Sequence, residues 1–164
     1  IVAHVALADP VCPHLAKIFY ETATGLDLNI HLGGTYLNME GPAFSTRAES
    51  NLYRSWGMDI IGMTNMAEAK LAREAEMCFV TLAAVTDYDC WHESQETVTV
   101  EMVIANLIRN AEMAKAIVRD VLPHIPQEAN WPCHSALQNA IMTDRKLWPA
   151  RTKKELDPIL SKYL

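Results

Sequence analysis

Between Phe44 and Thr86 the chain alternates helix-forming and strand-forming patterns, and that alternation restricts it to few architectures. In "FSTRAESNLYRSWG", Thr46 and Glu49 stand at capping-box spacing and Gly57 supplies a stop, so a helix is bracketed at both ends. "MDIIGMT" then reads as a short apolar strand. "NMAEAKLAREAEM" is rich in strong helix formers, with Asn65 placed to cap it. "CFVTLAAVT" is β-branched and unbroken, the pattern of a strand covered on both faces. Helix, strand, helix, strand predicts an α/β layer protein.

The flanks extend this reading. After Asp9-Pro10, "VCPHLAKIFYETATGL" carries apolar residues at helical spacing as far as Gly25. "LDLNIHLGGTYLNMEG" predicts two short strands joined in a hairpin at Gly33-Gly34, and Gly41-Pro42 marks a loop. From Thr99 to Val121 a long amphipathic pattern places Met102, Ala105, Ile108, Met113, Ala116 and Ile117 on one side of a helix. The Trp- and Pro-rich tail predicts two short helices with an irregular link. No repeat or linker divides residues 1–164, which are expected to form part of a single domain.

Charge narrows the partners. Lys and Arg number 14 against 20 Asp and Glu, a net charge of -6, and no basic cluster suits a phosphate backbone, so no nucleic-acid partner is expected. The opening "IVAHVALADP" is too short for a membrane span and has no basic leader, so neither a membrane partner nor a signal peptide is expected. Cys12, Cys78, Cys90 and Cys133 are irregularly spaced with no CxxC pair, which predicts a reducing, cytoplasmic setting. His92, His124 and His134 lack metal-ligand spacing with Cys or carboxylates, and no metal is assigned.

The candidate chemistry lies where strands end. Ile60-Ile61 runs into Met63-Thr64, and Ala83–Val85 runs into Thr86-Asp87, and ligand sites in α/β sheets form at the carboxyl ends of strands. In "VTDYDCWH", Asp87 and Asp89 are two apart, so an extended chain would aim both at one face. A carboxyl desolvated in such a pocket keeps its proton nearer neutrality and can donate it. Taken alone, two acids equally suit a strand cap or a grip on an Arg. Phe44 suits either stacking on a flat ligand or stapling the next helix. Met63 in isolation reads as core, as does His4 in its apolar strand.

Three strings decide between these readings. "MEGPAFSTRAES" (Met39–Ser50), "IIGMTNMAEAKLAREAEM" (Ile60–Met77) and "VTDYDCWH" (Val85–His92) closely resemble, in order and interval, the 5'-methylthioadenosine phosphorylases of the trimeric purine nucleoside phosphorylase superfamily. The likeness extends from His4 to about Val121. It implies the C-terminal half of a nucleoside-phosphorylase-type α/β domain, a twisted mixed β-sheet flanked by helices. It also implies that phosphate attacks C1' of 5'-methylthioadenosine, releasing adenine and 5-methylthioribose 1-phosphate. Asp87 matches the position that shares a proton with adenine N7, and Asp89 the one that accepts from the 6-amino group. Ser45 and Asp87 stand where relatives acting on 6-oxopurines carry Glu and Asn. Phe44 matches the residue stacking on the purine, Met63 the one against the ribose, Thr64 one reaching phosphate and Thr86 one beside the base. Val100, Val103 and Ile104 match the apolar wall around the methylthio group, and His4 the rim of that pocket. Inorganic phosphate is a co-substrate, and no cofactor is implied.

The resemblance also shows what is missing. The Gly-rich phosphate loop and the Arg-His segment of such enzymes precede everything in this sequence, which starts without Met. A companion polypeptide carrying the N-terminal half, produced by a nick in a surface loop or supplied as a separate chain, is therefore expected, and the resemblance implies a homotrimer of completed domains. Gly62 and Asn65 follow microbial relatives, Ala67 replaces a usual Pro, and the tail beyond Val121 carries no transferable residue. Two alternatives stand beside this reading: a broader phosphorylase taking adenosine or inosine, and a nonenzymatic half-subunit that binds nucleosides.

Overall fold

The computed structural model describes residues 1–26, 28–92 and 99–164. The chain divides into two compact units, Ala16–Asn65 with Thr81–Pro126, and Ile1–Leu15 with Met66–Val80 and Gln127–Leu164.

The first of these units holds a parallel pair of strands, β1 (Tyr36–Asn38) and β2 (Ile60–Gly62), in the register Tyr36↔Ile60, Leu37↔Ile61 and Asn38↔Gly62. Parallel neighbours need a crossover, supplied here by α2 (Arg47–Ser55). The predicted capping box forms: Thr46 Oγ1 accepts from Glu49 N at 3.2 Å, and Glu49 Oε2 accepts from Thr46 N at 2.7 Å. Gly57 takes the positive φ of 76° that ends the turn after the helix. Gly62 is required by packing, because a Cβ there would overlap the Tyr36 hydroxyl.

α1 (Pro13–Gly25) and α4 (Val100–Val121) supply the core of this unit. Ala23, Ile117 and Val121 are buried together, with Ile18, Phe19, Leu28, Ile30, Leu82 and Ile125 against them. The buried stripe of α4 is Asn110, Ile117 and Val121, spaced i, i+7, i+11. Met102 and Ile108, predicted to face inward, are instead exposed at 45% and 63%. With Val100, Ile104, Leu107, Val118 and Leu122 they leave much of the apolar surface of α4 uncovered within the chain.

Two predicted strands are absent among the described residues. Residues 28–32 form no strand, so Gly33 and Gly34, at φ 89° and 102°, lie in an irregular connection without a hairpin. Asp59 holds that connection instead, with Oδ2 accepting from Thr35 N at 2.6 Å. The strand read over Cys78–Thr86 likewise does not form, and Ala83, Ala84 and Val85 are exposed. The sheet is therefore small and parallel, where a mixed sheet was expected. No helix among the described residues is long and apolar enough to cross a membrane.

The second unit is built around Leu137, Ala140, Trp148, Leu160 and Tyr163, with Val5, Ile141 and Ile159 packed against them. The tail supplies short helices as expected, α5 (Ala150–Glu155) and α6 (Asp157–Leu160) among them. Contrary to the spacing argument, Cys78 and Cys133 are disulfide-bonded, with Cα atoms 5.3 Å apart. Fifty-five residues of separation gave no local signal for the pair.

Just past α3 (Asn65–Glu74), Glu76 adopts φ 55° and turns its carboxylate, 6% exposed, into the unit. It accepts from Leu137 N at 2.7 Å, from the Tyr163 hydroxyl and from the Lys162 ammonium. Burial pushes this carboxyl up, but the hydrogen bonds from Lys162, Tyr163 and Leu137 outweigh it and hold it below the ordinary glutamate range. A depressed folded-state value stabilises above the unfolded value and stops doing so as pH falls through the folded one. Glu76→Ala should therefore cost about 2–4 kcal/mol at neutral pH in urea unfolding. The difference from wild type should close as acid protonates Glu76; a pH-independent difference would contradict this account.

Candidate functional site

The candidate residues of the first unit are carried by three short stretches and by the exit of β2, which the fold holds in place. The first begins at Gly41, whose φ of 69° is coupled to close packing, since a Cβ there would lie 2.7 Å from Met63 Sδ. The chain then runs through a cis Gly41-Pro42 bond to Phe44, Ser45 and the N-terminus of α2. Phe44 is 86% exposed and staples nothing, which removes the structural alternative weighed for it. Met63 and Thr64 follow β2, Met63 half-buried and Thr64 exposed. Asn38 Nδ2 donates to Met63 O at 3.4 Å, tying this exit to the end of β1.

The second stretch is Thr81–His92. Its carbonyls lack a strand partner, and two amides of α4 serve two of them. Asn110 Nδ2 donates to Val85 O and Asn106 Nδ2 to Thr86 O, each at 2.8 Å. The two asparagines are i, i+4 on one side of the helix, so a pair of side chains substitutes for a ladder. Thr81 Oγ1 meanwhile donates to Asn65 Oδ1 at 2.6 Å, engaging the oxygen expected to cap α3. The third stretch is the first turn of α4, capped by Thr99, where Val103 is half-buried while Val100 and Ile104 are 69% and 49% exposed.

Asp89 joins the first two stretches. Ser45 Oγ donates to both of its oxygens, at 2.9 and 3.0 Å, and Cys90 N donates to Oδ1 at 2.8 Å. Cys90 Sγ returns to Ser45 O at 3.5 Å, and the Arg54 guanidinium stacks over Trp91 at 3.8 Å. Ser50 Oγ, buried at 2%, faces this carboxylate and lies within ideal hydrogen-bond geometry of no group among the described residues. Burial pushes the Asp89 carboxyl up, but the Ser50 side chain, the Cys90 N–H, the Ser45 hydroxyl and the Cys90 thiol outweigh it. Asp89 therefore lies below the ordinary aspartate range, which reverses the expectation that desolvation would keep it protonated. It is built to accept hydrogen bonds as a carboxylate.

Asp87 has different surroundings. It is exposed, at a bend, and Oδ1 accepts from the Thr86 hydroxyl at 2.5 Å. The strand that would have aligned the two acids is not formed, so they are distinguished by environment. Tyr88 and His92 stack with centroids 4.3 Å apart, which closes the loop behind Asp89. His4 belongs to the other unit, exposed, with its N–H on Ala140 O at 2.9 Å. A cleft of about 770 Å³ lies between α1 and the C-terminal end of α4, lined by Ile18, Glu21, Arg119 and His124, and contains none of the candidate residues.

Sequence reasoning missed Ser50, Arg54, Trp91, Asn106 and Asn110. A usable signal existed for the asparagines, two amides at helical spacing in an otherwise apolar run. Ser50 had none, since a buried serine in a helix is unremarkable until its neighbours are known.

Residues 2–123 match the family described as the phosphorylase superfamily. The chain is 54% identical over its whole length to S-methyl-5'-thioadenosine phosphorylase of Geobacter sulfurreducens and 56% identical over 99% of it to that of Gloeobacter violaceus. The tail beyond Val121 is thus aligned as well, although the resemblance had been expected to fade there. The chain spans 57% and 56% of those relatives' lengths. Among solved structures, a methylthioadenosine phosphorylase from an antarctic soil metagenomic library superposes with TM-score 0.89 at 44% identity, over 97% of this chain and 57% of that one. One from Schistosoma mansoni in complex with adenine gives 0.70 at 31% identity, over 78% of this chain and 50% of that one.

The Ser45–Asp89 link is directly measurable. Ser45→Ala should raise the Asp89 carboxyl toward its ordinary value, read from the carboxyl carbon shift in an NMR titration. An unmoved titration would show that Ser45 does not hold the carboxylate.

Proposed function

Because the chain belongs to the phosphorylase superfamily, we propose that it forms the base- and sugar-facing part of an enzyme that phosphorolyses 5'-methylthioadenosine to adenine and 5-methylthioribose 1-phosphate. The observation that carries this reading is the pairing of Ser45 with Asp89, two residues from Asp87. A carboxylate held ionised suits a purine 6-amino group, which only donates there. A Glu at position 45 would set a second carboxylate against Asp89 and favour a different base edge. The adenine complex of the Schistosoma mansoni relative supports an aminopurine ligand.

Adenine leaves poorly as an anion, so N7 needs a proton or a strong hydrogen bond as the glycosidic bond lengthens. Asp87 supplies it. Asp87 is exposed in this chain, so this role needs it covered from water. Phe44 stacks on the base and Thr86 lies beside it. Met63 packs on the ribose, Thr64 reaches the phosphate, and His4 lies toward the 5' side. Val100, Val103 and Ile104 form an apolar wall that leaves a 5'-hydroxyl unpaired and so favours methylthio. Phosphate attacks an oxocarbenium-like sugar, and catalysis consists chiefly of positioning and charge. No metal or organic cofactor takes part.

The covering surface comes from a companion polypeptide with the phosphate-binding half, so that this chain is the C-terminal half of one domain. The uncovered apolar side of α4 supports a covering partner surface. Completed domains associate as a trimer in the cytoplasm.

Activity should therefore require the companion, and active material resolved by intact-mass spectrometry should contain both chains; turnover by this polypeptide alone would refute the arrangement. In the completed enzyme, Asp87→Asn should lower kcat on methylthioadenosine about 10²- to 10³-fold while adenine still binds. Unchanged turnover would remove Asp87 from the chemistry. Faster phosphorolysis of inosine than of methylthioadenosine would favour the broader phosphorylase. Adenine binding by the completed assembly with no phosphorolysis of any nucleoside would favour the nonenzymatic subunit.

A further inference from the structure

Cys12, Cys78 and Cys133 come from three separate stretches of the second unit, yet their Sγ atoms all lie within 4.8 Å of one another. Cys12 and Cys133 are 4% and 5% exposed. A fourth group points at them: His134 Nε2 is 3.2 Å from Cys78 Sγ. The other ring nitrogen, Nδ1, is 2.7 Å from the carbonyl oxygen of Ala129. A carbonyl only accepts, so Nδ1 carries a hydrogen, and in that tautomer Nε2 presents its lone pair to Cys78 Sγ. The ring plane is held by a stack, with Trp131 6.1 Å from His134 and His14 5.5 Å from Trp131 on its own side.

The disulfide between Cys78 and Cys133 leaves this arrangement half explained. It uses two of the four groups, places the buried Cys12 thiol beside them, and offers the imidazole lone pair a sulfur with no hydrogen to donate. Three thiols and an imidazole whose second nitrogen is anchored on a carbonyl are instead the donor set of a closed tetrahedral zinc site.

We propose that, once the Cys78–Cys133 bond is reduced, Cys12, Cys78, Cys133 and His134 bind one Zn²⁺ in a structural site. The reductant is a dithiol: its two thiols become a disulfide, the Cys78–Cys133 bond breaks, and two thiols form. Zinc then displaces three protons, one from each cysteine, and gives a site of net charge -1. At Zn–S distances of about 2.3 Å the sulfurs sit about 3.8 Å apart, within the spread already present. With all four positions filled by protein, the ion activates no water. It clamps Ile1–Leu15, Met66–Val80 and Gln127–Leu164 to one another. Spacing along the chain carries no trace of it, because His134 and Cys133 are adjacent and the other ligands are distant.

The test uses the full chain, reduced anaerobically with a phosphine, which becomes its oxide with oxygen from water, and stripped with a chelator. Zn²⁺ is titrated in competition with a chromophoric chelator, and Co²⁺ is used as the spectroscopic probe. About one equivalent of zinc per chain is expected, with the thiolate charge-transfer and d–d bands of tetrahedral cobalt and a higher Tm. Cys12→Ser and His134→Gln should each weaken binding at least tenfold, with folding checked by circular dichroism, whereas Cys90→Ser should bind as wild type. Absence of stoichiometric zinc in the reduced chain, or unchanged affinity in folded Cys12→Ser, would overturn the proposal. So would a folded chain in which reductant exposes only Cys12 and Cys90 to alkylation.

Discussion

The donation of two α4 amides to the carbonyls of Val85 and Thr86 is the contact on which the candidate site depends. Thr81 on Asn65 and Leu82 against the core fix the start of this segment, but its end has no strand neighbour among the described residues. Asn106 and Asn110 give it two fixed points four residues apart on a helix whose next turns, at Ile117 and Val121, are locked in the core. The loop that follows is thereby delivered to Ser45, and Asp89 completes the join.

From that join follows a division of labour between two chemically identical side chains. Asp89 is partly withdrawn from water and surrounded by donors, so its charge is stabilised despite burial. Asp87 faces outward with a single hydroxyl donor from its neighbour. Residue type and spacing identify the pair, but only the surroundings assign an acceptor role to one and leave the other open to conditioning by whatever covers it.

Local signals were the most legible part of the fold. The Thr46–Glu49 box and the stop at Gly57 depend on contacts within a few residues, and both form as read. The strand read over Cys78–Thr86 depends on a partner distant in sequence, and a strand pattern cannot say whether its partner is present. The same reason hides the Cys78–Cys133 bond and the orphan hydroxyl of Ser50, both products of tertiary approach. Positions such as Phe44, Met63 and Asp87 became informative through three strings in register, since no one of them is distinctive alone.

Tyr36 and Gly62 meet across the parallel pair so closely that the tyrosine hydroxyl fills the space a side chain at 62 would need. The two positions are thus a lock and its void. A methyl gained at 62 calls for a ring at 36 that is trimmed or swung aside, or for strands that part and carry Met63 and Thr64 with them.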